Sequence, residues 1–156
     1  MSFLGNEPTP APGGEPPFEN DGWWPDVDLQ ALRTAVRLDS TVTTARLQHS
    51  LVTAILAVNQ ELAAWKLERQ LGGFASLGEV PAPTVAGESA LAQHYRRAIY
   101  CALRADLIER YRDFDTTGAG DKRAEALEGS IDSLRRDMRW AISDFLGRRR
   151  TTVELI

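Results

Sequence analysis

Apolar side chains recur at spacings of three and four in four separate stretches of the chain, the period of a helix with one covered face. In the first, Leu29, Leu32 and Val36 predict a short helix over roughly 28–38, with Asp26 or Asp28 placed to cap it and Asp39-Ser40-Thr41 breaking it. In the second, Leu47, Leu51, Ile55, Val58, Leu62 and Trp65 predict one helix over 41–70, stopped by Gly72-Gly73. At ~1.5 Å per residue it would be about 45 Å long. A third helix, over 88–114, carries Leu91, Tyr95, Ala98, Ile99 and Ala102 on one face and Tyr100, Leu103, Leu107, Tyr111 and Phe114 on another. A helix wet on one side needs only one apolar face, so this is either the central helix or one packed against neighbouring subunits. The fourth, capped by Asp121, spaces Leu127, Ile131, Leu134, Met138, Ile142 and Phe145 by three and four and leaves its opposite face charged.

Residues 71–87 contain four glycines and two prolines and read as a long connection. Residues 1–22 hold Pro8, Pro10, Pro12, Pro16 and Pro17 and four glycines, with no long apolar side chain between Leu4 and Phe18. Such a segment buries too little to offset its ordering entropy, and is expected to be a disordered arm with order beginning near Trp23-Trp24-Pro25. Of the two tryptophans, at least one is expected to plug the end of the bundle and the other to anchor an interface. Beyond Gly147, Arg148-Arg149-Arg150 precede Thr151, Thr152, Val153, Glu154, Leu155 and Ile156, a β-branched ending suited to an extended tail that pairs with another protein. No strand is predicted before residue 150. The expected fold is all-α: a small bundle of about four helices over 23–147, between an arm at 1–22 and a tail at 148–156.

At 156 residues the chain fits one domain, which buries roughly 70% of the surface it would expose unfolded. Its single cysteine, Cys101, falls inside an apolar helical pattern and reads as a small hydrophobe, in keeping with a reducing cytoplasm. No apolar run approaches the ~20 residues of a membrane span and no secretory leader is evident, so a soluble protein is expected. Net charge is -4, but residues 1–28 hold six acids and no Lys or Arg, which leaves +2 on the remainder. Of the 18 basic residues 16 are arginine, grouped at Arg96-Arg97, Arg135-Arg136 and Arg148-Arg149-Arg150. The arginine fork suits carboxylates and phosphates, although a GC-rich genome also favours arginine. Near-neutral charge on the folded part argues against tight general DNA binding, but not against a local basic patch.

The string Asp115-Thr116-Thr117-Gly118-Ala119-Gly120-Asp121 resembles the signature of ribokinase-like sugar kinases, where glycines and a helix N-terminus hold the transferred phosphoryl group and the last aspartate activates a hydroxyl. Such a kinase needs an α/β sheet and about twice this length, and a glycine-containing turn followed by an aspartate cap accounts for the string. His49 and His94 lie on different helices without partners at metal-ligand spacing. Ser89, Ser130, Ser133 and Ser143 show no nucleophile elbow, and Asp132, Asp137 and Asp144 fit a solvated helix face. No catalytic, metal or cofactor site is assigned.

Several separated blocks, taken in order, resemble the head completion proteins of contractile-tailed temperate phages, the protein L family of head-to-tail connectors. They are Trp24-Pro25-Asp26-Val27-Asp28-Leu29, Asn59-Gln60-Glu61-Leu62-Ala63-Ala64-Trp65, Tyr95-Arg96-Arg97-Ala98-Ile99-Tyr100, the run from Ala105 to Thr117, and Thr152-Val153-Glu154-Leu155-Ile156. The resemblance covers about Trp23 to Ile156 and places the kinase-like string inside a family block. It implies a non-enzymatic helical subunit, made in the host cytoplasm and carried in the virion at the head–tail junction. There it forms a ring under the portal, closes the filled head and offers a platform for the tail. Implied partners are the portal protein, neighbouring copies and tail-completion or neck proteins, with no membrane; the residues themselves add the expectation that Arg148 to Arg150 meet carboxylates or packaged DNA. Val153, Leu155 and Ile156 would fill apolar contacts on the portal, and Trp23, Trp24, Tyr95, Tyr100 and Tyr111 are the subunit-interface candidates. The competing readings are an adaptor that recruits a partner through its Pro-rich arm, and a phosphotransferase using Asp115 to Asp121.

Overall fold

The computed structural model describes residues 14–38, 42–112 and 120–150, with backbone alone for 111, 112 and 120–129. The first helix, α1 (Leu29–Ala35), begins where Asp28 accepts a hydrogen bond from Ala31 N at 2.9 Å, and it buries Leu29 and Leu32 completely. It ends at Val36, followed by Arg37 at φ 54°.

Helix α2 (Thr44–Glu61) is capped by Thr43, whose hydroxyl accepts from Arg46 N, and it covers Leu47, Ser50, Leu51, Ala54, Ile55 and Val58. The single helix expected over 41–70 is instead two. Leu62, at φ -99° and ψ 4°, separates α2 from α3 (Ala63–Leu71). The bend lets the two segments serve different partners: α2 lies along α4, while α3 carries Trp65 to the end of α5.

The connection at 71–87, read from sequence as featureless, contains local order, and the fold is therefore mostly helical rather than strictly all-α. A short 3₁₀ turn (Leu77–Glu79) buries Leu77, whose N–H donates to Trp23 O at 2.9 Å. A two-stranded antiparallel hairpin follows, β1 (Thr84–Val85) and β2 (Glu88–Ser89), with Thr84 opposite Ser89 and Val85 opposite Glu88. Its turn places both Ala86 (φ 54°) and Gly87 (φ 79°) in the left-handed region, the requirement of a tight two-residue hairpin loop. Alternation over two residues is too short to register as a strand in a sequence pattern.

Helix α4 (Ala90–Arg112) settles the question raised by its two apolar faces: it is the central helix. Helix α5 (Gly120–Phe145) packs along it most extensively and α2 packs against it as well. Tyr95, Ala98, Ile99, Leu103, Ala105 and Leu107 are all buried by these neighbours. The glycine string ahead of α5 and the expected cap at Asp121 lie outside the described residues and side chains. Among the described residues there are five helices, so the expected count of about four rises by the break at Leu62.

The segment expected to be a disordered arm up to residue 22 makes specific contacts from residue 15 onward. Phe18 and Val27 exchange backbone hydrogen bonds at 2.8 and 2.9 Å, and Arg33 holds Glu15 at 2.8 Å. Phe18 and the Asn20 amide supply the anchoring groups that proline counting overlooked. No helix among the described residues is long and apolar enough to cross a membrane.

Candidate interaction surfaces

Three features dominate the candidate functional regions: an aromatic cluster beneath the surface, an apolar stripe on α2 and α3, and an arginine-rich face on α5. The aromatic cluster uses Trp23, Trp24, Trp65, Tyr95 and Phe145, drawn from the N-terminal segment, α3, α4 and α5. Trp24 stacks on Tyr95 with ring centroids 4.4 Å apart, and meets Trp23 edge-on at 4.8 Å; Trp65 meets Phe145 edge-on at 4.6 Å. Trp23, Trp24 and Tyr95 are 5%, 2% and 1% exposed, so the fold itself covers these three interface candidates. Both tryptophans, not one, close the end of the domain. Tyr100 is half-buried on α4, and the side chain of Tyr111 lies outside those described.

The cluster is locked by a polar triad. Tyr95 Oη donates to Asn59 Oδ1 at 2.6 Å and accepts from Asn20 Nδ2 at 2.8 Å, and Asn59 Nδ2 donates to Asn20 Oδ1 at 3.3 Å. Burial drives the Tyr95 phenol far above its ordinary range, so it stays a neutral donor. Beside it, Asp21 accepts from Trp23 N and Trp24 N, both at 3.0 Å, and pairs with Lys66. Burial opposes ionisation of Asp21, but Lys66 and the two backbone N–H groups outweigh it and hold its carboxyl low.

The apolar stripe was not legible from the core pattern. Val52 and Leu56 on α2, and Ala63, Leu67 and Leu71 on α3, are spaced by four and, across the bend, by seven; all are exposed, Leu56 at 64% and Leu71 at 81%. Their spacing was the available signal, since these apolar residues fall off the stripe formed by Leu47, Leu51, Ile55 and Val58. Val52 and Leu56 share one exposed face of α2, and Ala63, Leu67 and Leu71 one exposed face of α3; large apolar side chains grouped in this way mark a contact surface rather than scattered surface leucines.

At the C-terminal end of α5, Gly147 turns the chain at φ 65°, Arg148 N donates to Ser143 O at 2.9 Å, and Arg148 and Arg149 are exposed. Arg150 folds back: its guanidinium makes two hydrogen bonds to Asp144, at 2.6 and 3.0 Å, and lies 5.1 Å from the Trp140 ring centre. That pairing holds the Asp144 carboxyl below the ordinary range. Arg97 also approaches Asp144, at 3.6 Å. The three arginines grouped by sequence therefore divide into one engaged within the chain and two directed outward. Thr151 to Ile156 lie outside the described residues.

Two clefts, of about 310 and 210 Å³, flank Pro25 and Asp26. The smaller is lined by Asp26, Asp28, Glu88, Arg96 and Tyr100, of which Glu88 and Arg96 pair at 2.9 Å. Cys101 is half-buried, and burial pushes its thiol up and away from the reactive thiolate. Among the described residues no group of three or more His, Cys, Asp or Glu is arranged to hold a metal ion.

The prominent surfaces thus belong to a helical protein equipped for contact with other macromolecules. The family model described as phage head completion protein (GPL) matches residues 18–156, and the chain belongs to that family. It is 38% identical over 149 residues to the head completion/stabilization protein of Escherichia phage P2, an alignment covering 96% of this chain and 88% of that relative. No solved structure matches the chain. Family membership makes it a structural protein of bacteriophage head completion, and the matched region runs through both the helical domain and the C-terminal tail.

Proposed function

We propose that the chain forms a ring on the portal vertex, closes the DNA-filled head and presents the platform to which the tail attaches. The observation that carries this reading is the apolar stripe of Val52, Leu56, Leu67 and Leu71, exposed in a single copy of a protein from a head completion family. A ring subunit needs a surface that its own fold leaves open for the next copy. In this reading the stripe seats the neighbouring subunit. Tyr100 and Tyr111 stand as further contact candidates on α4, while Trp23, Trp24 and Tyr95 are enclosed by the subunit's own fold.

The portal contact falls to the tail. Val153, Leu155 and Ile156 add an extended segment to a portal sheet edge, with backbone hydrogen bonds supplying affinity and apolar side chains filling pockets. Arg148 and Arg149 flank that segment, and tail-completion or neck proteins dock on the finished ring. Residues 1–22 have no part in this reading, and the completed assembly occupies the neck of the virion.

The test is binding of the purified chain to rings of the cognate portal protein, with the full-length chain and one ending at Arg150 measured in parallel. Binding abolished by the truncation supports docking through the tail. Binding retained by both moves the contact to the helices, and absence of binding by either refutes the portal connector.

A further inference from the structure

The outer surfaces separate by chemistry. Every large exposed apolar side chain among the described residues, Val52, Leu56, Leu67, Leu71 and Val85, lies on α2, α3 or the hairpin, and none lies on α5. The outward side of α5 instead presents Arg135, Arg136 and Arg139, all exposed, and Arg148 and Arg149 extend the series past the end of the helix. Between residues 130 and 150 six arginines face three aspartates, a local positive surplus in a chain of net charge -4.

The arginines differ in how they are held. Arg135 pairs with Glu109, Arg136 reaches Asp137 at 3.5 Å, and Arg150 is taken by Asp144. Among the described residues Arg139, Arg148 and Arg149 have no carboxylate at salt-bridge distance. Trp140 organises the patch: Arg136 and Arg150 lie 4.7 and 5.1 Å from its ring centre. Cation–π contact of this kind restrains a guanidinium that is otherwise a long flexible group, and reduces the ordering cost of binding an anion.

We propose that this face, centred on Arg139 and running from Arg135 to Arg149, binds the phosphate backbone of duplex DNA without reading its sequence. A specific protein interface has an apolar centre inside a polar rim, and this face has no large exposed apolar residue to supply one. A nucleic-acid surface is polar, strongly positive and rich in arginine, whose fork fits phosphate oxygens. Along α5 the stretch from Arg135 to Phe145 runs about 15 Å at ~1.5 Å per residue, the length of roughly four base pairs, and Arg148 and Arg149 follow just past its end. The proposal concerns a different surface from the stripe and from the portal-docking segment Thr151 to Ile156; it shares with that docking only the flanking Arg148 and Arg149, and Arg135, Arg136 and Arg139 lie apart from it on α5.

The experiment is fluorescence anisotropy of the full-length chain with a labelled mixed-sequence duplex of about 25 base pairs, between about 50 and 300 mM NaCl. Three phosphates neutralised give a slope of log K against log salt near about -2.7, and R139Q combined with R148Q reduces its magnitude by about 1.8 while weakening binding uniformly across sequences. R46Q, at an exposed arginine of α2 rather than α5, leaves the slope unchanged. Circular dichroism melting of each variant verifies that the fold is retained. The proposal is overturned if the wild type shows no salt-dependent binding, if R139Q/R148Q binds as the wild type does, or if R46Q is as damaging. It is equally overturned if polyglutamate at matched charge binds the face more tightly than the duplex does at the same salt, which would assign the face to an acidic protein.

Discussion

Removing one oxygen from the aromatic cluster measures how much the polar triad contributes to the fold. In Tyr95→Phe the ring keeps its stacked position on Trp24, 4.4 Å away, but Asn59 Oδ1 loses a donor at 2.6 Å and Asn20 Nδ2 loses an acceptor at 2.8 Å. The losses are unequal, because Asn20 Nδ2 keeps Pro25 O at 3.2 Å whereas Asn59 Oδ1 had the phenol as its donor. A net hydrogen bond contributes roughly 0.5–1.5 kcal/mol and an abandoned buried acceptor costs about 1–3 kcal/mol, so the expected loss is about 2 kcal/mol. For a chain of this size that lowers Tm by roughly 4–8 °C. Urea unfolding followed by tryptophan fluorescence reads the change as a lower midpoint at unaltered slope. A double-mutant cycle with Asn59→Ala isolates the triad, with an expected coupling of about 1 kcal/mol. A Tyr95→Phe effect below about 0.5 kcal/mol, or strict additivity in the cycle, would refute the view that the triad fixes the N-terminal segment to α2 and α4.

The remaining expectations concern the surface, the hairpin and pH. Leu56→Glu and Leu67→Glu change the subunit's own stability by less than about 0.5 kcal/mol, since both side chains are exposed, yet they abolish ring assembly in sedimentation; intact rings would remove the stripe from the interface. Ala86→Gly relieves a left-handed backbone and raises stability by about 1 kcal/mol in the same urea assay; a destabilised variant would contradict the turn geometry. Asp144 has a folded-state pKa below its unfolded value, so its contribution is complete above the ordinary carboxylate range and is lost as pH falls through the lowered value. In Arg150→Ala, NMR titration of the Asp144 carboxyl should move up toward the ordinary value; an unmoved titration would show that Arg150 is not the cause.

Helix identity was determined by sequence wherever apolar residues repeated over several turns: Leu47 to Val58 and Leu91 to Leu107 define α2 and α4, because a covered helical face must recur at three and four whatever packs on it. The cap of α1 was local enough to be narrowed to Asp26 or Asp28, between which the structure chose Asp28, and the family blocks identified the protein's class without any three-dimensional information. Pattern alone could not locate the break at Leu62, since the apolar series continues through it and only the separate partners of α2 and α3 divide the helix. Nor could it distinguish aromatic residues that face a neighbour from those, such as Trp24 and Tyr95, that three other segments of the same chain enclose. The candidate surfaces divided in the same way. Arginine clustering at 148–150 was visible, but the capture of Arg150 by Asp144 and Trp140 required α5 to fold under its own exit. Val52, Leu56, Leu67 and Leu71 were apolar on paper and became a surface only when α4 accepted the other side of α2. Periodicity reports that a face is apolar; tertiary packing decides whether the chain covers that face itself or leaves it for a partner.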